Sequence, residues 1–221
     1  MTLQRHAIDF ETLKPETLDA WRKIPPAVVS DCMNRTHFMA AAIKPVRPGT
    51  RLAGQARTVT SMVGDNSISH AALALVNEGE VLVLDAGGDT DVAVWGAIMT
   101  HAAMARGIAG LVIDGAVRDV AEIRELGFPC FARAHVPSGP HKGFGGIIDG
   151  PISCAGCPVK PGDLVIGDDD GVAVVPLEWA DDMLAASLAK IAQEEETLKA
   201  IAEGRTTAEI LGIGEPEMIG G

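Results

Sequence analysis

The 221-residue chain contains no tyrosine and only five phenylalanines. Aromatic platforms for stacking exposed bases are therefore scarce. Basic residues are also in the minority: 18 Lys and Arg stand against 30 Asp and Glu, a formal charge of −12. Nucleic-acid affinity is built on clustered cations, so this balance argues against nucleic acid as a partner. It argues equally against an anionic membrane surface. No apolar run approaches the roughly 20 residues of a membrane-spanning helix. Met1 to Asp9 carry no apolar segment of signal-peptide length. A cytoplasmic location is expected, with Cys32, Cys130, Cys154 and Cys157 as reduced thiols. Small anionic substrates stay open, because one local Arg can outweigh a distant acidic surface.

What is present is an ordinary globular composition, 47% hydrophobic and 22% charged. The length suits one domain over 1–221, with an N-terminal helical segment over 1–27 and a closing helix over about 177–203. The middle is the most patterned part. Val81-Leu82-Val83-Leu84 and Leu111-Val112-Ile113 are short, wholly apolar runs, as expected of strands covered on both faces. A third strand is expected over 128–132. Helices are expected over about 68–76, capped by Asn66 or Ser67, over about 92–106, and from Arg118-Asp119 to Gly127. This alternation predicts an α/β fold with parallel pairing. After His135 the texture turns to Gly, Pro and short strands, a β-rich layer.

In open α/β sheets ligands bind beyond the carboxyl ends of the strands. Two loops are expected to arrive there, over 85–91 and 114–119. The first is glycine-rich and enters a helix, whose free N–H groups, at Trp95 to Met99 or a little earlier, can hold a carboxylate or phosphate. Such glycines also serve turn geometry alone. The second carries Arg118, able to clamp a carboxylate, beside Asp119, able to bind a hard cation or to cap the next helix. In the last helix Leu184, Leu188, Ile191, Glu195 and Leu198 form one stripe. Glu195 on that stripe points into a site, across a subunit boundary, or to solvent. Cys154-Ala155-Gly156-Cys157 has no second CxxC and no histidine pair at finger spacing, so it reads as incidental. His70, near the Gly64–Asn66 turn, either lines a pocket or is a satisfied structural histidine, the commoner case, and the stretch from Gly64 to Asn66 can border the cleft.

At these residues the sequence resembles the RraA-like family, which includes 4-hydroxy-4-methyl-2-oxoglutarate and 4-carboxy-4-hydroxy-2-oxoadipate aldolases. The matching pieces are Gly64-Asp65-Asn66, Trp95-Gly96, Ala105-Arg106-Gly107 with Gly110, and Asp114-Gly115-Ala116-Val117-Arg118-Asp119. Pro161-Gly162-Asp163 and Gly167-Asp168-Asp169-Asp170-Gly171-Val172 complete the set. The resemblance implies a swivelling β/β/α domain, assembled as a homotrimer or homohexamer with its cleft between subunits. It implies a lyase that uses a divalent metal, Mg or Mn, to cleave a small anionic 2-oxo acid to pyruvate, with oxaloacetate decarboxylation as a second activity. Arg118 would bind the keto acid and stabilise the enolate oxygen, and Asp119 would ligate the metal. The backbone of Gly96, Ala97, Ile98 and Met99 would hold the carboxylate, and Glu195 of an adjacent subunit would complete the site. One position departs from the aldolases: the acid twenty-one residues before the motif Arg is Ala97 here. The family also contains a non-catalytic branch that binds and inhibits RNase E, which is the alternative reading. A same-fold enzyme with other 2-oxo-acid chemistry is a further one. A methyltransferase role finds no GxGxG loop.

Overall fold

A computed structural model describes residues 2–220. The chain opens with strand β1 (Leu3–Arg5) and helices α1 (Pro15–Trp21) and α2 (Pro26–Cys32). Each helix begins on a proline, whose fixed φ and missing N–H suit a first turn. Strand β2 (Lys44–Pro45) follows, then the βαβ core. That core runs β3 (Leu52–Ser61), α3 (Ser67–Leu73), β4 (Val81–Asp85), β5 (Ala93–Trp95), α4 (Ala97–Ala105), β6 (Gly110–Val117), α5 (Val120–Leu126) and β7 (Cys130–His135). The β-rich part holds β8 (Gly146–Ile148), the hairpin β9 (Ile152–Cys154) and β10 (Cys157–Val159), then β11 (Leu164–Asp168) and β12 (Gly171–Val175). A single 3-10 turn, Leu177–Trp179, leads into α6 (Ala180–Ala202), and α7 (Thr207–Leu211) follows.

The main sheet has the order β1-β8-β3-β4-β6-β7-β2. Its centre, β3-β4-β6-β7, is parallel, as the alternation of strands and helices predicts. β3 is long because it serves two partners in succession. Leu52–Gln55 pair antiparallel with β11, and Ala56–Thr60 pair parallel with β4. One apolar layer, including Leu82, Leu84, Leu111 and Ile113, lies with Ile68, Met99 and Ile123 of helices α3, α4 and α5. The opposite layer, including Val81, Val83 and Val112, meets the β9–β10 hairpin and β12. The alternation of these strand residues between two apolar layers explains why both runs are wholly hydrophobic. A third cluster joins α1, α2 and α6 to β11 and β12.

Three sequence expectations are corrected here. The helix expected over 92–106 starts only at Ala97, because Ala93–Trp95 pair with Ala116 and Val117 of β6 as a strand. Gly96 then turns the chain into α4. The loop expected at Asp114-Gly115 is part of β6, whose register slips between Ile113 and Ala116. Asp114 is tolerated there because Arg133 of β7 and the N–H of Ala155 both donate to its carboxylate. The cap of α3 also differs. Asn66 makes no capping bond, and Asp65 instead accepts the Ser67 N–H at 2.8 Å.

Under β3 lies a buried ion network. Arg57, 1% exposed, binds Asp149 through two N–H···O bonds of 2.7 and 2.8 Å and reaches Glu80 at 2.9 Å. Arg5 of β1 also binds Asp149, at 2.9 Å, tying the first strand to the sheet. Along α6, Met183, Leu184 and Ile191 pack on the third cluster, while Leu188 and Leu198 are 51% and 64% exposed. Among the described residues, no helix is long and apolar enough to cross a membrane.

Candidate active site

Three segments meet at the carboxyl side of the central strands. They are the start of α3, the start of α4 and the two-residue turn between β6 and α5. They enclose a cleft of about 230 Å³. Ala93, Trp95, Ile98 and Met99 give it an apolar wall. Arg118 and Asp119 stand at one side, Asn66 and His70 at another, and Pro140 and Lys142 come from the loop before β8.

The α4 side is held rigidly. The Trp95 indole is buried and donates to Thr100 Oγ1 at 2.9 Å, and that hydroxyl donates to the Gly96 carbonyl at 3.1 Å. The N–H groups of a first helical turn have no intrahelical partner. Here Asp119 takes one of them: its Oδ2 accepts the Ala97 N–H at 3.0 Å. Asp119 therefore caps α4, its neighbour across the cleft, and makes no side-chain cap on α5, the helix it precedes. Its backbone sits in the left-handed region at φ 57°.

Arg118 and Asp119 are about half-exposed, and Arg118 Nε lies 3.8 Å from Asp119 Oδ2. Two glycines allow this crowding. A Cβ at Gly96 would stand 2.6 Å from Asp119 Oδ2 and 3.1 Å from Arg118 Cγ. A Cβ at Gly139 would stand 2.5 Å from an Arg118 guanidinium nitrogen. The 2.6 and 2.5 Å contacts are closer than real Cβ atoms make.

On the facing side, Asn66 is 5% exposed. Its Nδ2 donates only to the Met99 sulfur at 3.4 Å, and its Oδ1 has no partner. His70 of α3 follows four residues later and donates its main-chain N–H to the Asn66 carbonyl at 3.2 Å. Partial burial, and then the nearby Lys142 ammonium, hold its imidazole below the usual histidine range. Asp65, at the base of α3, is opposed by burial, but N–H groups of Ser67, Phe144 and Gly143 and the Ser67 hydroxyl outweigh that and hold its carboxyl below the usual range.

Gly96, Ile98, Met99, Arg118 and Asp119 line one cleft. Ala97 contributes its N–H to Asp119 and does not line the wall. Glu195 is exposed on α6 and is not among the residues lining the cleft of its own protomer. The 85–91 loop does not reach the cleft either. Its Gly87 and Gly88, at φ 70° and 72°, serve turn geometry, with the Gly88 N–H on the Asp114 carbonyl. Lys142 was not singled out by the sequence, although it is the one cation between Ser138 and Gly150.

The cysteine pair closes a hairpin, Cys154 opposite Cys157, inside the core. Burial pushes the Cys157 thiol up to about 12 and Cys154 upward as well. Among the described residues no group of three His, Cys, Asp or Glu gathers as a metal cage. A hard divalent ion such as Mg²⁺ is commonly held by one or two carboxylates plus water. The single half-exposed carboxylate of Asp119, in a cleft open to solvent, fits that kind of site.

Comparisons with known proteins follow the same lines. A family model described as RraA-like, Aldolase/RraA, matches residues 26–174. A Halalkalibacterium halodurans protein, provisionally named a 4-hydroxy-4-methyl-2-oxoglutarate aldolase, is 37% identical over 83% of this chain and 87% of its own. An uncharacterized protein of Pseudomonas syringae has a solved structure that covers 91% of this chain and 95% of its own, with 30% identity and a TM-score of 0.79. The structure of the Thermus thermophilus RNA-processing inhibitor RraA covers 70% of this chain and 93% of its own, with 30% identity and a TM-score of 0.64.

Proposed function

The chain belongs to the RraA-like family, and on that premise we propose that it is a divalent-metal-dependent lyase. It cleaves 4-hydroxy-4-methyl-2-oxoglutarate or a related 2-oxo acid to pyruvate, and decarboxylates oxaloacetate through the same enolate. The observation that carries this reading is the meeting of Arg118, Asp119 and the α4 N-terminus on one cleft. Breaking a carbon–carbon bond beside a ketone leaves negative charge on the ketone oxygen. Preorganised cationic donors stabilise that charge. Arg118 has room in the cleft because Gly96 and Gly139 carry no side chain.

The first-turn N–H groups of Ile98 and Met99 bind the substrate carboxylate at the positive end of α4. A bound Mg or Mn ion supplies Lewis-acid stabilisation at the oxygen that gains charge. Asp119 holds that ion. No lysine is required, since no Schiff base forms. Glu195 belongs to the cleft of a neighbouring copy, in a homotrimer or homohexamer. Its place on a helix face where Leu188 and Leu198 are exposed supports this.

The test is a coupled pyruvate assay across a panel of 2-oxo acids, with Mn²⁺, Mg²⁺ or EDTA. Metal-dependent release from one of them is expected, with Arg118→Ala slower by about 100-fold or more. No release from any substrate by metal-loaded protein overturns the reading. A second reading, an RNase E-binding regulator, is favoured by the likeness to the RraA inhibitor structure. Inhibition of an RNase E-type nuclease by the purified chain is its test.

A further inference from the structure

The cleft holds more unused polar capacity than enolate stabilisation requires. Cleaving a 4-hydroxy-2-oxo acid also requires a base for the hydroxyl proton at C4. Four side chains in the cleft carry charge or titrate: Arg118, Asp119, His70 and Lys142. Arg118 and Lys142 are cations and donate only. Asp119 is committed to the Ala97 N–H and stands beside Arg118. His70 is left as the nitrogen base.

Asn66 adds an independent sign of ligand. It lines the cleft, is 5% exposed, does not cap its helix, and its buried Oδ1 has no partner. A buried carboxamide oxygen without a partner is costly unless something is bound there. Asn66, the residue before α3, and His70 stand one turn apart, joined by the His70 N–H to Asn66 carbonyl bond of 3.2 Å, and both line the cleft.

We propose that His70 is the general base that takes the C4 hydroxyl proton, with the Asn66 carboxamide orienting that hydroxyl. This rests on the lyase reading and assigns it a second catalytic residue. The O–H electron pair forms the new C4 carbonyl. The C3–C4 bond breaks, and its electrons pass to the pyruvate enolate beside Arg118. A proton returns to C3 to give the methyl group, so the sum is neutral. Partial burial, and then Lys142, hold the imidazole below the usual histidine range, the direction that favours a base. The other charged groups near it are Arg118 and Asp119 across the cleft, and Asp65 at the base of α3, which is tied to N–H groups. His141, in the loop beside Lys142, stacks edge-on against Phe144.

Oxaloacetate has no C4 hydroxyl, so its decarboxylation needs Arg118 but not this base. The experiment measures pyruvate release by His70→Gln from 4-hydroxy-4-methyl-2-oxoglutarate and from oxaloacetate in one preparation. Cleavage is expected to fall by about 100-fold, and the ratio of cleavage to decarboxylation to fall nearly as far. The acidic limb of the pH profile for cleavage disappears, and added imidazole restores part of the cleavage by His70→Ala. Equal losses on both substrates, or no loss of cleavage, overturn the assignment while the lyase reading stands. Wild-type protein silent on both substrates overturns the lyase reading and this one with it.

Discussion

The carboxylate of Asp119 accepts the main-chain N–H of Ala97 at 3.0 Å, so the turn after β6 caps the helix that precedes it in sequence. This bond crosses 22 positions and fixes both walls of the cleft at once. It depends on a residue with no side chain, Gly96, between Trp95 and Ala97.

Gly96→Ala is therefore expected to displace Asp119 and Arg118, since the new Cβ would stand 2.6 Å from the carboxylate. Pyruvate release should fall by about 100-fold. Gly96 has φ −162°, ordinary extended backbone, so no strain from φ adds to the effect. Steady-state kinetics beside a thermal melt separate the two. A large fall in melting temperature with normal kinetics contradicts this account.

Arg57→Met should destabilise the protein by about 3 kcal/mol, because it leaves the buried Asp149 carboxylate with Arg5 as its one remaining cation and Glu80 without its partner. Adding Asp149→Asn should recover part of that loss, and Asn tolerates the left-handed backbone at φ 64°. Urea unfolding of the single and double variants reads the coupling. Additive losses would show that the two residues do not act as a pair.

Asp65 makes part of the stability acid-sensitive. Its folded-state pKa lies below the ordinary carboxylate value. The contribution is complete above the unfolded value, about 3.9, and is lost as pH falls through the folded value. Asp65→Asn should unfold at a milder denaturant concentration at pH 7 and differ less from wild type near pH 3. A constant difference across that range would exclude Asp65 as the source.

A thiol reagent should label Cys32 alone in the native protein and all four cysteines in guanidinium. Cys32 is partly exposed, whereas Cys130, Cys154 and Cys157 are buried. Burial pushes the Cys130 and Cys157 thiols up to about 12, leaving little thiolate to react. Mass spectrometry of the labelled peptides decides it. Native labelling at Cys154 would mean that the hairpin opens.

Much of this molecule could be read from the sequence because the signals are local. Val81-Leu82-Val83-Leu84 is apolar throughout, as expected of a strand covered on both sides, and it is the central β4. Gly127 ends α5 in the left-handed conformation expected of a glycine stop. The errors arise where pairing is remote. Val92 to Trp95 fit a helical pattern by themselves, yet β6 recruits Ala93–Trp95 as a strand. Asp114-Gly115 look like a turn, but Arg133, nineteen residues on, makes the carboxylate acceptable inside a sheet. The same holds for the site. Arg118 and Asp119 stand out as an ionic pair after an apolar run. The unpartnered oxygen of Asn66 and the arrival of Lys142 depend on how α3, α4 and the loop before β8 come together.

The left-handed backbone of Asp119 bears on how this protein could be engineered. A side chain there costs more conformational energy than glycine would, although Asp tolerates the region better than most residues. Glycine at position 119 would relieve that backbone cost but remove the acceptor for the Ala97 N–H, so the left-handed turn and the cap on α4 set opposing demands on one residue.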